Sequence, residues 1–266
     1  MLRALRNIFR LIAIARTLAR YDALFPADWL PATGGLVFAA RTLSGFRTAP
    51  GIRDLRPGER LAGALQDLGP SFIKFGQMLS TRTDLVGETI ANDLSSLQDR
   101  LPPFSSAEFE RPVDDMFEHF EDEPVAAASI AQVHSARVRV AGTNEDAIAA
   151  ETREVAVKVL RPDIERAIER DLDLFRWIAN IAETTQPRLR RLKPVVAVET
   201  FAESLRWEMD LRMEGAAASE LHGNFEDDPM YVVPMIDWER TGRRVLTTEW
   251  ISGIPVHDVD ALVAAG

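Results

Sequence analysis

Two periods of apolar spacing run along this chain, and the change from one to the other divides it. In "MLRALRNIFRLIAIARTLARYDALFP", Leu2, Leu5, Phe9 and Ile12 recur every three or four positions, the spacing of one helix face. From 31 to 57, Pro31, Gly34, Gly35, Pro50, Gly51 and Pro57 break any period, so a connector is expected, helical in part over "GLVFAARTLSGF". Helical spacing returns over residues 58–103 and predicts two or three helices, broken near Asp84–Gly87 and ended at Pro102 and Pro103. A short helix is expected over 107–120. In "PVAAASIAQVHSARVRV" small residues give way to alternation at Val133, Ala136, Val138 and Val140, which predicts strand, loop, strand. A hairpin connection over 141–154 and a strand in "EVAVKVL" (154–160) follow. Helices are expected over 162–185 and, as one long element, over 195–225, ending near Gly223; two further strands are expected around Gly242.

Composition changes this picture little. The 266 residues suffice for one large or two modest domains, and 46% hydrophobic with 27% charged content fits a soluble globular chain. A net charge of -10 makes nucleic acid an unsuitable partner for the chain as a whole. With no cysteine there are no disulfides or thiolate metal sites, and His119, His134, His222 and His257 lack metal-ligand spacing. No apolar run reaches the 18 or so residues of a membrane span. The N-terminus is the local exception to the acidic balance: Arg3, Arg6, Arg10, Arg16 and Arg20 precede the first acid, Asp22. That pattern suits an anionic membrane surface. A helix packed on its own domain, or a mitochondrial transit segment, has the same pattern.

Candidate chemistry gathers around few residues. Only Lys74, Lys158 and Lys193 are lysine in a chain rich in arginine, so each marks a place where a compact ammonium is wanted. In "SFIKFGQMLS" Lys74 and Gln77 share one helix face while Phe72, Phe75 and Leu79 form a core face. Gly76 costs about 1 kcal/mol against alanine there, so close approach to its backbone is expected. Val155-Ala156-Val157-Lys158 has the form of the strand lysine that reaches the α- and β-phosphates of ATP in kinase folds and needs a helix carboxylate to hold it. The alanine-rich stretch upstream, Ala126, Ala127, Ala128, Ser129, Ile130, Ala131 and Gln132, stands where kinases have a glycine-rich loop. A Cβ at these positions stiffens it. Downstream, Asp210 and Glu214 are expected on one helix face and Glu208 on another, with Arg206 and Arg212 available to pair with them.

Taken in order, these segments resemble the UbiB family of atypical protein-kinase-like ATPases linked to ubiquinone biosynthesis. "FIKFGQMLSTRTDL" is similar to its KxGQ motif, "AAASIAQVH" to its alanine-rich loop, "VAVKVLRP" to its nucleotide-lysine strand, "WEMDLRMEGAAA" to its ExD motif, and "LTTEWISGIPV" to the strand entering its hinge. The resemblance covers residues 55–260. It implies an α+β fold: a protein-kinase-like N-lobe, an antiparallel sheet plus an αC-type helix, with an N-terminal helical extension and no C-lobe. The division it implies is 1–55 amphipathic helix and connector, 56–121 KxGQ extension, 122–253 N-lobe, and 254–266 hinge exit.

The resemblance also implies roles. Lys158 contacts ATP phosphates and pairs with Glu214, Ala126–Gln132 covers the nucleotide, and Glu249 lies at the hinge that holds adenine. Lys74 and Gln77 reach the active site, where Lys74 faces Glu208, with Asp210 completing the ExD motif. The extension occupies the place of a protein substrate, so ATP hydrolysis coupled to lipid handling is the implied activity. Catalysis also requires Mg²⁺ ligands and a catalytic loop. No Asp-Phe-Gly or catalytic-loop pattern is present, so the chain is expected to be the N-terminal part of a longer protein. Implied partners are an anionic membrane surface, polyprenyl quinone intermediates and other ubiquinone-synthesis proteins. The implied location is peripheral, on the cytoplasmic side of the bacterial inner membrane. A non-catalytic, lipid-associated scaffold is the other reading these residues allow.

Overall fold

The computed structural model describes residues 2–23, 51–97, 115–139, 152–256 and 258–266. Two compact units are present: residues 1–102, 127–130 and 163–206 form the first, and residues 103–126, 131–162 and 207–266 the second. Expectations for the connector at 31–50, the break at Pro102 and Pro103, the hairpin connection over 141–151 and His257 fall outside the described residues.

The first unit is helical. Helix α1 (Leu2–Arg20) is followed by α2 (Pro57–Leu68), α3 (Pro70–Ser80), α4 (Thr83–Val86), α5 (Glu88–Ser95) and α6 (Ile164–Thr185), then by most of α7 (Pro194–Glu208). The stretch read as two or three helices is thus four among the described residues. The extra break has a local cause: Gly69 takes φ 106°, which side chains other than glycine rarely adopt, and Pro70 starts the next helix. Gly87, φ 80°, makes the expected break before α5. Leu65, Leu68, Phe72, Leu79 and Leu94 pack with Ile14 and Leu18 of α1 and Leu174 of α6. Burying each such side chain contributes about 1.5–3 kcal/mol. Phe72 meets the ring of Phe175 edge-on at 5.1 Å, and Phe75 meets Phe201 at 5.9 Å. Helix α1 therefore packs on its own unit, with Arg10 Nε donating to Asp171 at 3.0 Å and Arg6 Nη2 to Asp173 at 2.7 Å.

The second unit holds an antiparallel sheet in which β1 (His119–Phe120), β3 (Ala131–Arg139), β4 (Thr152–Leu160) and β5 (Val245–Glu249) lie in that order. Strand β2 (Ala126–Ala127) opens the alanine-rich stretch. Register is set by pairs such as Val133↔Lys158 and Lys158↔Leu246. Because side chains alternate across a strand, Ala136, Val138, Val155, Val157 and Val159 pack on one face with Phe117. Lys158 and Leu246 share the other face, where α8 (Leu211–Asn224) packs through Gly215. The last helix is α9 (Val259–Ala265).

Three expectations need correction. The end of the helix expected over 107–120 is strand β1, held by Glu118 N–H donating to Arg137 O at 2.9 Å; residues 107–114 are outside the described set. The single long helix over 195–225 is two, α7 and α8, broken at Met209 and Asp210. Buried Met209 and the extended backbone of Asp210 (φ -118°) turn the chain there. Of two strands around Gly242, only β5 is a strand; its expected partner is a single bridge, Ile236↔Thr248, next to a 3₁₀ turn over Trp238–Arg240.

Candidate functional site

Strand β4 carries Lys158 because alternation places its inward neighbours Val157 and Val159 in the core and turns the ammonium to the opposite face. Helix α8 meets that face. A Cβ on Gly215 would lie 3.1 Å from Leu246 Cδ1 and 3.2 Å from Trp238 Cη2, so the bare backbone is what lets the helix come this near. One residue earlier, Glu214 takes the ammonium between both carboxylate oxygens, Nζ–Oε1 and Nζ–Oε2 each 2.8 Å. With the side chains of Lys158 30% and of Glu214 50% exposed, a solvent-borne anion can reach the ammonium. An exposed pair of this kind contributes little to stability, about 0–1 kcal/mol. Its effect is to fix one rotamer of a flexible cation, which is what a phosphate ligand needs.

Asp210, expected to share a helix face with Glu214, instead begins the helix that carries Glu214. Asp210 caps α8: its carboxylate accepts from the Arg212 backbone N–H at 3.2 Å. It also accepts from the Arg212 guanidinium in two-pronged fashion, at 2.8 and 2.6 Å. Those guanidinium bonds hold its carboxyl below the usual aspartate range. Arg206, the other expected partner, pairs instead with Glu169 at 3.2 Å. Glu208 is the last residue of α7, with an exposed side chain.

In the first unit, α3 places Lys74 and Gln77 as its spacing foretold, both partly buried, with Phe72 and Leu79 on the core side. Gln77 Nε2 donates to the Leu97 carbonyl at 3.3 Å. The close approach at Gly76 is also internal. A Cβ there would lie 2.4 Å from Leu97 Cδ1 and 2.7 Å from Leu65 Cδ1, so Gly76 seats neighbouring leucines rather than opening toward a ligand.

Along the alanine-rich stretch, Ala126 is exposed and Ala127 and Ala128 are half-buried, whereas Ser129, Ile130, Ala131 and Gln132 are buried. The Gln132 amide is engaged: Nε2 donates to His134 Nε2 at 2.8 Å. His134 Nδ1–H in turn donates to the Glu121 carbonyl at 2.7 Å, which fixes a neutral ring. Burial holds the His134 pKa below the usual histidine value. Sequence reading treated the histidines only as absent metal ligands. The missed signal was the polar pair Gln132 and His134, two apart on a β-alternating stretch and on its buried face. Glu249 ends β5; its N–H donates to the Met235 carbonyl at 2.9 Å.

A strand lysine locked to a helix carboxylate, preceded by an alanine-rich loop, decides the affiliation when joined to one comparison. Residues 96–266 match the ABC1 atypical kinase-like domain. The chain belongs to the ABC1 atypical kinase-like family. Its UbiB affiliation is equally plain from relatives. Proteins named probable protein kinase UbiB in Marinobacter nauticus and Cellvibrio japonicus are 40% and 42% identical over 97% and 96% of this chain. One in Aeromonas salmonicida is 39% identical over 98% of it. The match takes in 46%, 45% and 46% of those proteins, so the chain spans about half the length of the curated relatives it matches. The solved complex of Rv3197 with erythromycin from Mycobacterium tuberculosis is 26% identical, covering 70% of this chain and 45% of that one, with a TM-score of 0.47, too low to carry an argument. The α+β fold, an antiparallel kinase-like sheet with flanking helices, rests on the geometry described above.

Proposed function

We propose that this ABC1-family chain binds ATP through its sheet-and-helix unit and forms part of a UbiB-like ATPase that supports ubiquinone synthesis at a membrane. The observation that carries the reading is the Lys158 ammonium held between both oxygens of Glu214, each at 2.8 Å. A fixed, partly exposed cation on a strand supports a phosphate ligand, and the family resemblance adds Ala126–Gln132 as the cover of the nucleotide. In this reading Lys158 binds the α- and β-phosphates and Glu214 positions it. Glu249 marks the hinge beside adenine. Lys74, Gln77 and Glu208 serve the same nucleotide, and Asp210 contributes by capping α8.

Magnesium would supply charge neutralisation at the phosphates. Among the described residues no group of three or more His, Asp or Glu stands together to hold it. The domain division given above, 56–121 as extension and 122–253 as lobe, belongs to the same proposal. So do polyprenyl quinone intermediates, other ubiquinone-synthesis proteins, and a peripheral location at the cytoplasmic face of a bacterial inner membrane. Among the described residues no helix is long and apolar enough to cross a membrane.

The test is titration of the chain with a fluorescent ATP analogue, competed by ATP. Saturable binding that Lys158→Ala weakens at least ten-fold is expected. Binding unchanged in Lys158→Ala would end the reading.

A further inference from the structure

The segment that precedes the 3₁₀ turn runs along the free side of β5, and alternate residues of it are held. Tyr231 N–H donates to the Asp228 carbonyl at 3.1 Å, and its ring stacks on Phe225 at 4.4 Å. The Val233 carbonyl accepts from His222 Nδ1 of α8 at 2.8 Å. The Met235 carbonyl accepts from Glu249 N–H, and Asp237 N–H donates to the Thr247 carbonyl, each at 2.9 Å. The residues between are not held in this way. Ile236 faces Thr248 across a bridge whose bonds are made by its two neighbours, so its own N–H and C=O point to the side away from β5. Among the described residues neither these groups, nor those of Val232, nor the Pro234 carbonyl makes a hydrogen bond.

The result is an open sheet edge over 232–236, already held in place at the residues between. Proteins blunt such edges with proline, charge or a cover. Pro234 does so at one position, but the start of the edge is apolar and bare: Met230 is 85% exposed, Tyr231 57% and Val232 76%. The charge around it has one sign. No lysine or arginine occurs from Met213 to Glu239. Glu226 and Asp227 are exposed before the edge, and the Glu239 side chain is 89% exposed after it.

We infer that residues 232–236 are a docking edge for an extended, basic segment of a partner protein, which adds a strand to the sheet. The main-chain groups of Val232, Pro234 and Ile236 supply the hydrogen bonds, as in strand addition generally. Val232 and Met230 supply apolar contact, and the acids at both ends select a cationic segment. A second copy of this chain is a poor occupant. Antiparallel pairing centred on Pro234 would set proline against proline, neither with an N–H to give, and would bring the acidic ends of two chains together. The inference is independent of nucleotide binding, which concerns Lys158 and Glu214.

The experiment is fluorescence anisotropy of a labelled peptide, KKVTVTVKK, titrated with the whole chain, beside the acidic counterpart EEVTVTVEE. Two further basic peptides carry backbone N-methyl groups, one on every valine and the other on every threonine. Alternation along a strand turns only one of these two sets of N–H groups toward the edge. The basic peptide should bind and the acidic one should not. One N-methylated peptide should lose binding while the other keeps it. Val232→Pro, which removes an unbonded N–H, should weaken binding about ten-fold through a lost hydrogen bond and a blocked edge. Glu226→Gln/Asp227→Asn should weaken it about two- to three-fold per charge, as for exposed ion pairs. Both N-methylated peptides binding as tightly as the unmodified one, or the acidic peptide binding as tightly as the basic one, would overturn the inference. So would a dimer of the chain, seen by sedimentation velocity, that Val232→Pro dissolves, since the edge would then serve self-pairing. The N-methyl comparison uses the unaltered chain, so it decides the matter even where Val232→Pro fails to fold.

Discussion

Three residues show how local physics and proposed function meet. Gly76 lies in the most motif-like helix of the chain, yet what approaches it is Leu65 and Leu97. Gly76→Ala should therefore destabilise the helical unit by about 1–3 kcal/mol from overpacking, offset by up to about 1 kcal/mol of helix propensity. Urea unfolding reads this, and an unchanged midpoint would refute the packing account. His134 makes a pH prediction. Burial lowers its pKa, so in the window below the ordinary histidine value and above the depressed one the unfolded chain binds the proton and the folded chain does not. Its contribution is full above that window and is lost as pH falls through it. The ring receives Gln132 from β3, donates to the Glu121 carbonyl, lies 4.8 Å from the Phe120 ring and feels Asp122. Between pH 7.5 and 5.5 the urea midpoint of the wild type should fall further than that of His134→Gln; parallel falls would refute it. What a sequence offers at this scale is residue type and spacing. Lys158 was legible because lysine occurs only three times in the chain and this one stands on a valine-rich strand downstream of an alanine-rich loop, in the order of a kinase-like lobe. The seat of Gly76 was not, because the leucines that fill it lie 11 residues before and 21 after.

At the scale of elements, the break between α7 and α8 matters most. Asp210 is the cap that starts α8, and α8 carries Glu214. Asp210→Ala should cost about 1 kcal/mol through the lost cap and weaken nucleotide binding by loosening the first turn. A variant with full stability and full affinity would contradict this. Gly215→Val should push α8 off Leu246 and Trp238, lowering stability by about 1–3 kcal/mol and nucleotide affinity with it. Retained affinity would show that the helix position is immaterial. Helical periodicity alone ran through Met209 and Asp210, because both faces stay apolar and charged in turn across the break. The caps became visible only once backbone N–H partners were. Strands β3 and β4 and helix α6 were legible for the opposite reason: their periods are long and uninterrupted. β1, two residues long, has no period to detect and exists through its pairing with β3.

For the whole molecule, two compact units with different secondary structure reproduce the change of period along the chain, although neither is continuous in sequence. A helix segment, 163–206, returns to the first unit from between two strands of the second. Contact between distant segments cannot be read from local spacing, and that is why the linear division of the chain differs from its compact units. The site residues divide the same way: Lys74 and Gln77 belong to the first unit, while Lys158, Glu208, Asp210, Glu214 and Glu249 belong to the second. The central claim is accordingly confined to the second unit: Glu214 acts on nucleotide only through Lys158. A double-mutant cycle tests it, with ATP-analogue affinity measured for the wild type, Lys158→Ala, Glu214→Gln and the double variant. The account predicts that each single variant weakens binding and that the double variant is no weaker than Lys158→Ala alone. Additive losses, or Lys158→Ala binding as tightly as the wild type, would contradict it.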